Sequence, residues 1–596
     1  MSFATLGRLS LPLAAAALAA ACGGGGSSSL AFVPSTAAPA PAPAAPPAAG
    51  PATPTDPALP QLAAAVGAAL QGDCTSLSSF SFANTTITSV TTAAAGSLTV
   101  AGKNIGAHCV VTGKMFERVS PVDGQTYAVG FQMRLPLAWN GRYLYQGNGG
   151  TDGSVANATG AVGSGGPLTN ALYNGFAVIS SDAGHSSAQN PLFGLDPEAR
   201  IDYGYGAVRK LTPMAKALIK AAYGKGPDRS YVGGTSNGGR HAMVTAARLP
   251  AEYDGVLANS PGFDLPKAAA AQLYSAQQFR KVATDENDLS TAFTVAERKL
   301  VAQKINDRCD ALDGVKDGLV QDVEACRTAF NLFRDVPTCV GARDGTCLTG
   351  AQKSAIDAMY YGPVNSRGEQ LYATQSYDPG LAGSSWASWK FNNSVGGGRD
   401  PVAVGIIFQV PPDASIVNNT RAFAFNYNFD LDYPKLFATN SLYTESAWSF
   451  MTPPNPTKLD TLRDRGAKMI VVQGMSDGPF SIDDTKRWYE ELDAENKGKA
   501  ARFVRFFRVP GMNHSSGGIS TDQYDALDAL VKWVEQGVAP DRIVASARGA
   551  GNAGGVNSEL PTDWAADRTR PLCPYPLVAR YNGSGDSEKA ENFSCK

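Results

Sequence analysis

Charge is scarce in this chain, and its scarcity limits the function classes to consider. Only 17% of the 596 residues are charged, below the roughly 25% of ordinary soluble proteins. The formal net charge of −2 gives no electrostatic basis for binding nucleic acid. The nine cysteines include no Cys-x-x-Cys pair, so zinc ligation is a poor interpretation. No internal repeat is present, and we expect no organic cofactor.

The N-terminus has no apolar run long enough to cross a bilayer. Residues 9–21 follow the positive charge of Arg8 and suit a signal peptide over 1–22. Residues 18–22 (LAAAC) resemble a bacterial lipobox, which predicts a lipid anchor on Cys22 as the protein's one link to a membrane; simple cleavage at Ala-x-Ala is the alternative. Residues 23–60, rich in Gly/Ser and then Pro/Ala, predict a tether. Both interpretations predict export, as a periplasmic or cell-surface (outer-membrane) lipoprotein or as a secreted protein.

The run Gly234-Thr235-Ser236-Asn237-Gly238 reads as a nucleophile elbow. It follows a short β-type run, residues 229–232, and opens a helical pattern over 240–249. Glycines on both sides allow the strained strand-to-helix turn that exposes a serine oxygen at a helix N-terminus. The pattern predicts Ser236 as the nucleophile of an acyl-transfer site.

The general base follows by elimination, because the chain has only four histidines. In α/β-hydrolases the order along the chain is serine, acid, histidine. His108 and His185 precede Ser236, and His241 lies only one helical turn beyond it. His514 remains, in a glycine-flanked loop after a β-type run over residues 502–509, and we predict it as the base.

The acid should follow a strand between these two residues. Residues 468–473 (KMIVVQ) form an apolar strand pattern, and Asp477 comes directly after it. There a carboxylate can fix the histidine tautomer and stabilise the imidazolium. Asp483 and Asp484 are rivals that look more like the N-terminal cap of a helix over 483–492.

These residues together show that the chain resembles the tannase and feruloyl esterase family of α/β-hydrolases. The similarity extends over roughly residues 62–596. The stretches that carry it are residues 135–141, 147–150, 181–185, 231–240, 253–256, 309–318, 474–477 and 510–518. The resemblance implies an α/β-hydrolase fold with a large inserted lid domain: residues 61–262 and 463–596 form the hydrolase domain, and residues 263–462 form the lid.

One departure from the family concerns cysteine. The family usually has Cys before the serine and after the histidine, joined by a disulfide, whereas here Thr235 and Ser515 stand at these positions. Leaving out Cys22, eight cysteines remain, an even number that suits an oxidising compartment but permits 105 pairings. Proximity and the resemblance together favour four pairs: Cys74–Cys109, Cys309–Cys326, Cys339–Cys347 and Cys573–Cys595.

Inside the lid, spaced aspartates with turn glycines look like a calcium loop. Asp310, Asp313 and Asp317 supply carboxylates, and the resemblance implies that the backbone carbonyls of Val315 and Leu319 complete the set of oxygen ligands. The loop is not an EF-hand, and a solvated acidic turn is the alternative. We assign Ca²⁺ a structural role.

Aromatic residues also concentrate in the lid, and most are better read as core than as substrate wall. The alternating run over residues 423–429 predicts a half-buried strand, while one or two aromatics are expected to stack on an aromatic acyl group. Arg399 and Arg421 are the candidates there for holding a carboxylate, although a surface charge is the simpler interpretation of each. The same concentration includes Trp386, Trp389 and Phe391.

The sequence therefore predicts an exported serine carboxylic ester hydrolase. It would act on small aromatic esters (hydroxycinnamoyl, galloyl or terephthaloyl) through a Ser236–His514–Asp477 triad and an acyl-enzyme. The oxyanion would be held by the backbone N–H of Asn237 and one from Gly149 or Gly150. A polyester-oligomer or aliphatic esterase and a non-catalytic surface binding protein are the alternatives; the sequence does not indicate an oligomeric state.

Overall fold

The computed structural model describes residues 58–163 and 170–596. The predicted signal peptide, Cys22 and the tether up to residue 57 lie outside the described residues. Within the part of the chain that is described, no helix combines the length and apolar character that a membrane crossing needs.

A nine-stranded mixed sheet forms the centre of the protein. Its strands in chain order are β1 Thr85–Ala93, β2 His108–Val119, β3 Thr126–Pro136, β4 Arg142–Gly147, β5 Ala177–Ser181, β6 Arg229–Thr235, β7 Gly255–Asn259, β8 Lys468–Gly474 and β9 Val504–Val509. Their order across the sheet is β9-β8-β7-β6-β4-β5-β3-β2-β1. The six strands from β9 to β5 pair in parallel, and β3, β2 and β1 continue the sheet antiparallel. The carboxyl ends of the parallel strands therefore share one edge, where α/β proteins bind ligands.

Helices cover both faces of the parallel part. The described helices of eleven residues or more are α1 Ala207–Tyr223, α2 Asn237–Arg248, α3 Leu265–Arg280, α4 Val295–Cys309, α5 Gly350–Tyr361, α6 Ile482–Glu495 and α7 Ala526–Gln536. Shorter helices span Pro197–Ile201, Val323–Ala329, Leu332–Asp335, Ser384–Ala387, Asp400–Val402, Thr420–Asn426, Ala447–Met451 and Asp460–Asp464.

Because side chains alternate along the strands, the apolar core at the central sheet is divided into two large clusters. On β6, Val232 packs into the cluster that includes α1, α2 and α6, whereas the preceding Tyr231 packs into the one that includes α7. Successive strand side chains point to opposite faces, which is why fully apolar strands can be covered on both sides. The fold is the predicted α/β-hydrolase arrangement.

The segment between β7 and β8 contributes no strand to this sheet, although all of residues 260–467 are described. We call it the insert. It begins with α3 and consists mainly of helices and loops. The strand predicted over residues 423–429 is wrong, because most of this run belongs to the helix Thr420–Asn426. Asn419 caps that helix, and Phe423 packs on Tyr427, four residues later, with ring centroids 5.7 Å apart. Helical i,i+4 spacing explains the contact.

Four disulfides join the cysteine pairs that proximity and resemblance favoured. They are Cys74–Cys109, Cys309–Cys326, Cys339–Cys347 and Cys573–Cys595. The last holds the C-terminal hairpin, in which Ala579–Tyr581 pairs with Phe593–Cys595. Four bonds in one chain fit an oxidising compartment.

Candidate active site

Ser236 occupies the turn between β6 and α2 in a backbone conformation that non-glycine residues rarely adopt, with φ 65° and ψ −125°. A Cβ on Gly234 would lie 2.5 Å from the carbonyl oxygen of Gly147, and one on Gly238 would lie 2.3 Å from it. Both neighbours must therefore be glycine for β4, β6 and α2 to approach one another. This is the strained turn that the Gly-x-Ser-x-Gly pattern predicts.

The structure brings Ser236, His514 and Asp477 together from three strand ends. Ser236 Oγ lies 2.8 Å from His514 Nε2. His514 Nδ1 lies 3.0 Å from each carboxylate oxygen of Asp477, whose side chain is buried. The backbone N–H of Phe480 also donates to Asp477 Oδ1, at 3.0 Å. An Nδ1–H donated to Asp477 leaves Nε2 free to accept the serine proton.

Two aromatic rings enclose the imidazole of His514. Trp389, from the insert, and Phe480, from the loop after β8, both stand edge-to-face with it at centroid distances of 5.1 Å. The His514 side chain is only 7% exposed. The rings keep bulk water from the imidazole, which strengthens the electrostatic interactions between the three residues.

The rival acids are engaged elsewhere. The expectation that Asp483 or Asp484 caps α6 needs correction, because the cap is Ser481, whose hydroxyl accepts the N–H groups of both aspartates. Asp483 pairs with Arg327, and Asp484 pairs with Arg487. A serine hydroxyl reaches the first-turn amides as well as a carboxylate does, so the acidic pair lies inside the first turn of α6, two and three residues after the cap.

The other histidines have structural partners. His108 Nδ1 lies 2.8 Å from the carbonyl of Gly106. His185 Nε2 lies 2.8 Å from the carbonyl of Thr151, and burial lowers the pKa of His185 to about 4. His241 is buried in α2 beside Asp152. None of the three has Ser236 among its hydrogen-bond partners in the described chain.

The residues proposed for the oxyanion site lie against the nucleophile. A Cβ on Gly149 would lie 3.7 Å from Ser236 Cβ, and Gly150 and Asn237 line the same cavity as Ser236. Asn237 is the first residue of α2, so its N–H has no acceptor within the helix. The arrangement offers backbone donors beside the serine.

The cavity at Ser236 is narrow and mostly apolar. Its volume is about 40 Å³. Its walls are Gly150, Thr151, Tyr203, Ser236, Asn237, Leu265, Ala269, Trp389, Arg399, Asp400, Ala403, Phe408 and Phe480. A larger cavity, of about 310 Å³ beside Arg200 and Tyr443, contains none of the predicted catalytic residues.

Arg399, one of the two sequence-based candidates for holding a carboxylate, lies in this wall beside Asp400. A Cβ on Gly150 would lie 3.1 Å from Arg399 Nη1, and its guanidinium lies 5.9 Å from the centre of the Trp389 ring. Among the described residues Arg399 forms no ion pair, although the buried carboxyl of Asp400 in the same wall interacts with its charge. Arg421, the other candidate, donates instead to the carbonyl of Glu286.

The insert supports the loops that carry the acid and the base. No local sequence pattern indicated these supporting contacts. Buried Asp378 accepts the Ser476 hydroxyl at 2.6 Å and the Gly511 N–H at 3.1 Å. The Asn513 side-chain amide donates to the Gly380 carbonyl at 2.8 Å. Ser476 precedes Asp477 and Asn513 precedes His514, so both functional loops rest on the insert.

The predicted calcium loop has features that favour and features that oppose a cation. Asp313 Oδ2 is buried without a hydrogen-bond partner, and burial together with Asp317 raises the pKa of Asp313 to about 7. However, Asp310 accepts the N–H groups of residues 317 and 318, and Arg570 holds Asp317 Oδ2. Within the described ranges, no three acidic, histidine or cysteine side chains are placed to hold a metal. Of the three loop aspartates, Asp310, Asp313 and Asp317, only Asp313 has a carboxylate oxygen free for a cation.

Comparison with known proteins gives a consistent result. Residues 109–596 match the family model described as "Tannase and feruloyl esterase". Mono(2-hydroxyethyl) terephthalate hydrolase of Piscinibacter sakaiensis is 39% identical over 523 residues, covering 82% of this chain and 84% of that protein. Probable feruloyl esterase B of Aspergillus clavatus is 27% identical over 77% of this chain and 82% of its own length. The crystal structure of feruloyl esterase B from Aspergillus oryzae has the same fold, with a TM-score of 0.69, 24% identity, and coverage of 88% of this chain and 99% of that chain.

Proposed function

The chain belongs to the tannase and feruloyl esterase family, and from that premise we propose that it is an exported serine esterase that cleaves aromatic carboxylic esters through Ser236, His514 and Asp477. The observation that carries the proposal is the continuous hydrogen-bonded path from Ser236 Oγ through His514 to Asp477. Ester hydrolysis by such a path needs no cofactor.

Acyl transfer would proceed in two steps. His514 Nε2 takes the Ser236 proton as Oγ attacks the ester carbonyl, and the carbonyl oxygen becomes an oxyanion facing the backbone N–H groups of Asn237 and the glycine loop. The imidazolium then gives its proton to the leaving alcohol, and an acyl-enzyme remains. Water, deprotonated by His514 Nε2, attacks the acyl carbonyl. The bond from that carbon to Ser236 Oγ then breaks, Oγ takes the proton back from the imidazolium, and the carboxylic acid leaves.

We propose that the preferred substrates carry a carboxylate on the acyl ring. Arg399 brings an unpaired positive charge into the same cavity as Ser236, and Trp389 provides a neighbouring aromatic face. A guanidinium binds a carboxylate through two parallel hydrogen bonds. The relative named for mono(2-hydroxyethyl) terephthalate, a half-ester with one free carboxylate, is consistent with this choice.

The test is a substrate panel with matched variants. Purified enzyme would be assayed on mono(2-hydroxyethyl) terephthalate, on the uncharged bis(2-hydroxyethyl) terephthalate, and on methyl ferulate and methyl gallate. We expect Arg399→Gln to raise KM at least tenfold for the half-ester and to change it little for the bis-ester, with Arg421→Gln as the control. Equal effects on both terephthalates would reject the carboxylate assignment, and no activity on any aromatic ester would reject the function.

An aliphatic ester or polyester-oligomer hydrolase is the second candidate, favoured by the apolar part of the cavity wall. Leu265, Ala269, Ala403 and Phe408 would suit an aliphatic acyl chain. Hydroxybutyrate oligomers in the same panel separate the two: a higher kcat/KM on them than on every aromatic ester would favour this candidate. A non-catalytic binding protein predicts no turnover in either series.

We further propose a structural calcium ion at the Asp310–Asp317 loop and a lipid on Cys22. The orphan oxygen of Asp313 supports the first, and the lipobox-like residues 18–22 support the second. For the lipid, labelled palmitate should be incorporated into the wild-type protein in a bacterial host and not into Cys22→Ser. Secretion of both forms without label would indicate an ordinary cleaved signal peptide.

A further inference from the structure

Asp152 is the last residue of the glycine loop, residues 148–152, which runs from the end of β4 to the cavity. It has a positive φ of 54°, and its side chain is 1% exposed. Its Oδ2 accepts two hydrogen bonds from the elbow helix: Asn237 Nδ2 at 2.8 Å and His241 Nε2 at 2.9 Å. One carboxylate oxygen therefore joins the glycine loop to α2.

Asn237 extends this connection to a buried cation. Its side-chain oxygen accepts from Arg240 Nε at 2.6 Å, and Arg240 also donates to the carbonyls of Tyr203 and Gly204. In the described chain Arg240 has no carboxylate in direct ion-pair contact. The Asn237 amide links Arg240 to Asp152. We call Asp152, Asn237 and Arg240 the amide bridge.

The protonation of His241 and of Asp152 follows from their surroundings. Burial lowers the pKa of His241 well below its usual value, and Arg240 lowers it further. The ring is therefore neutral and donates Nε2–H. Burial raises the pKa of Asp152 well above its usual value, and Arg240 and the Asn237 amide offset this only in part. Because two donors converge on Oδ2, this oxygen acts as an acceptor.

The bridge connects the two elements that would supply the oxyanion donors. Asn237 contributes its backbone N–H from α2, and the glycine loop contributes the other. The Asp152 N–H donates to the Gly149 carbonyl at 3.3 Å. Since the C=O and N–H of a trans peptide point in opposite directions, the Gly150 N–H points away from Asp152. Gly150 lines the cavity with Ser236, which favours it over Gly149 as the loop donor.

We propose that Asp152 is a positioning residue: through Asn237 it fixes the separation of the Gly150 and Asn237 backbone amides, and so the geometry of the oxyanion site. The proposal rests on the proposed esterase function. Preorganised donors act mainly on the transition state. Loss of the bridge should therefore lower kcat and leave KM nearly unchanged, whereas a merely structural residue would change the melting temperature alone.

The experiment compares Asp152→Ala, Asn237→Ala and the double variant with the wild type. Asn237→Ala keeps the backbone N–H and removes only the bridging amide. We expect each single variant to lose about a hundredfold in kcat, similar to the loss of one oxyanion donor, with KM within twofold. Because both act through one bridge, the double variant should lose little more than either single one.

A transition-state mimic gives an independent readout. Phenylboronic acid forms a tetrahedral adduct on the serine, and its affinity should fall in parallel with kcat in the bridge variants. The affinity for the product acid should not change. Asp182→Asn is the control, because Asp182 accepts the N–H groups of Gly130 and Gly184 at 2.9 Å in a neighbouring loop without joining the bridge. It should retain wild-type kcat and boronate affinity.

The outcomes separate this proposal from the function itself. Additive losses in the double variant, or kcat within threefold of wild type in both single variants, would overturn the role of Asp152 while the wild type remains an esterase. Inactivity of the wild type on every ester would overturn the function first. If Asp152→Ala does not fold, Asn237→Ala, which removes the bridging amide and keeps Asp152, provides the test on kcat and boronate affinity.

Discussion

His514 Nδ1 lies 3.0 Å from both carboxylate oxygens of Asp477, so the acid faces the imidazole symmetrically. Such a contact holds the ring in one tautomer and compensates the positive charge that develops when Nε2 takes a proton. It also gives Asp477 a role that neither Asp483 nor Asp484 can take from its position in α6.

Asp477→Asn should therefore lower kcat by about 10⁴, as the equivalent change does in serine proteases, with little change in KM. Ser236→Ala should abolish turnover while the far-UV circular dichroism stays native. Asp483→Asn is the matched control and should retain kcat within a fewfold of wild type. A dead Asp483→Asn beside an active Asp477→Asn would reverse the assignment.

The buried carboxyl of Asp400 should make the free energy of unfolding depend on pH. Burial raises its pKa to about 8, so the folded state retains a proton that the unfolded chain loses above its ordinary value near 4. Unfolding then releases this proton between about pH 4 and pH 8, and its contribution to the free energy of unfolding falls across that window. Asp400→Asn should remove this part of the slope in urea titrations, whereas Asp541→Asn, with a 92% exposed side chain, should not. Parallel wild-type and Asp400→Asn curves would contradict the shift.

Calcium removal should destabilise the protein if the insert holds the ion. Chelation would lower the melting temperature by mass action, because the ion binds the folded loop and not the unfolded chain. Calcium should restore the melting temperature, and magnesium should not, since it prefers a smaller octahedral site. Asp313→Asn should melt at the chelated temperature with or without calcium. An unchanged melt in chelator, with no metal in the purified protein, would reject the calcium site.

An engineered disulfide tests how closely this site follows its family. The Thr235 hydroxyl is buried without a partner, and Ser515 has a φ of 68°. Each residue adjoins one member of the 2.8 Å Ser236–His514 contact. Thr235→Cys with Ser515→Cys should form a bond that adds about 2–4 kcal/mol to the free energy of unfolding under oxidising conditions only. Two thiols that remain free after oxidation would show that the positions do not meet.

Local patterns made the catalytic residues predictable. The elbow needs only five consecutive residues and the strand and helix around them, and four histidines left one candidate base. The strands β6, β8 and β9 were recognisable from the runs before Ser236, Asp477 and His514. Their predicted and observed ends differ by two residues or fewer, except that β6 continues to Thr235.

The insert was less predictable for physical reasons. Phe423 and Tyr427 suggest alternation as easily as an i,i+4 helical pair, and only the Asn419 cap decides between them. Arg399 resembles any half-exposed arginine until folding places it beside Gly150. Asp152 contacts α2, and Asp378 contacts the loops that carry Asp477 and His514. These contacts join residues more than eighty positions apart in the chain, so no local sequence pattern predicts them.

Asp378 has a consequence for protein engineering. It binds Ser476 and Gly511 across the boundary between the insert and the hydrolase domain. An insert transplanted from a relative to change substrate preference would bring its own residue to this junction. Unless that residue can accept the same two hydrogen bonds, the chimera would displace His514 and Asp477 although its catalytic residues are unaltered. Grafts that retain Asp378 and Gly380 should therefore be the ones in which exchanged specificity is accompanied by retained turnover.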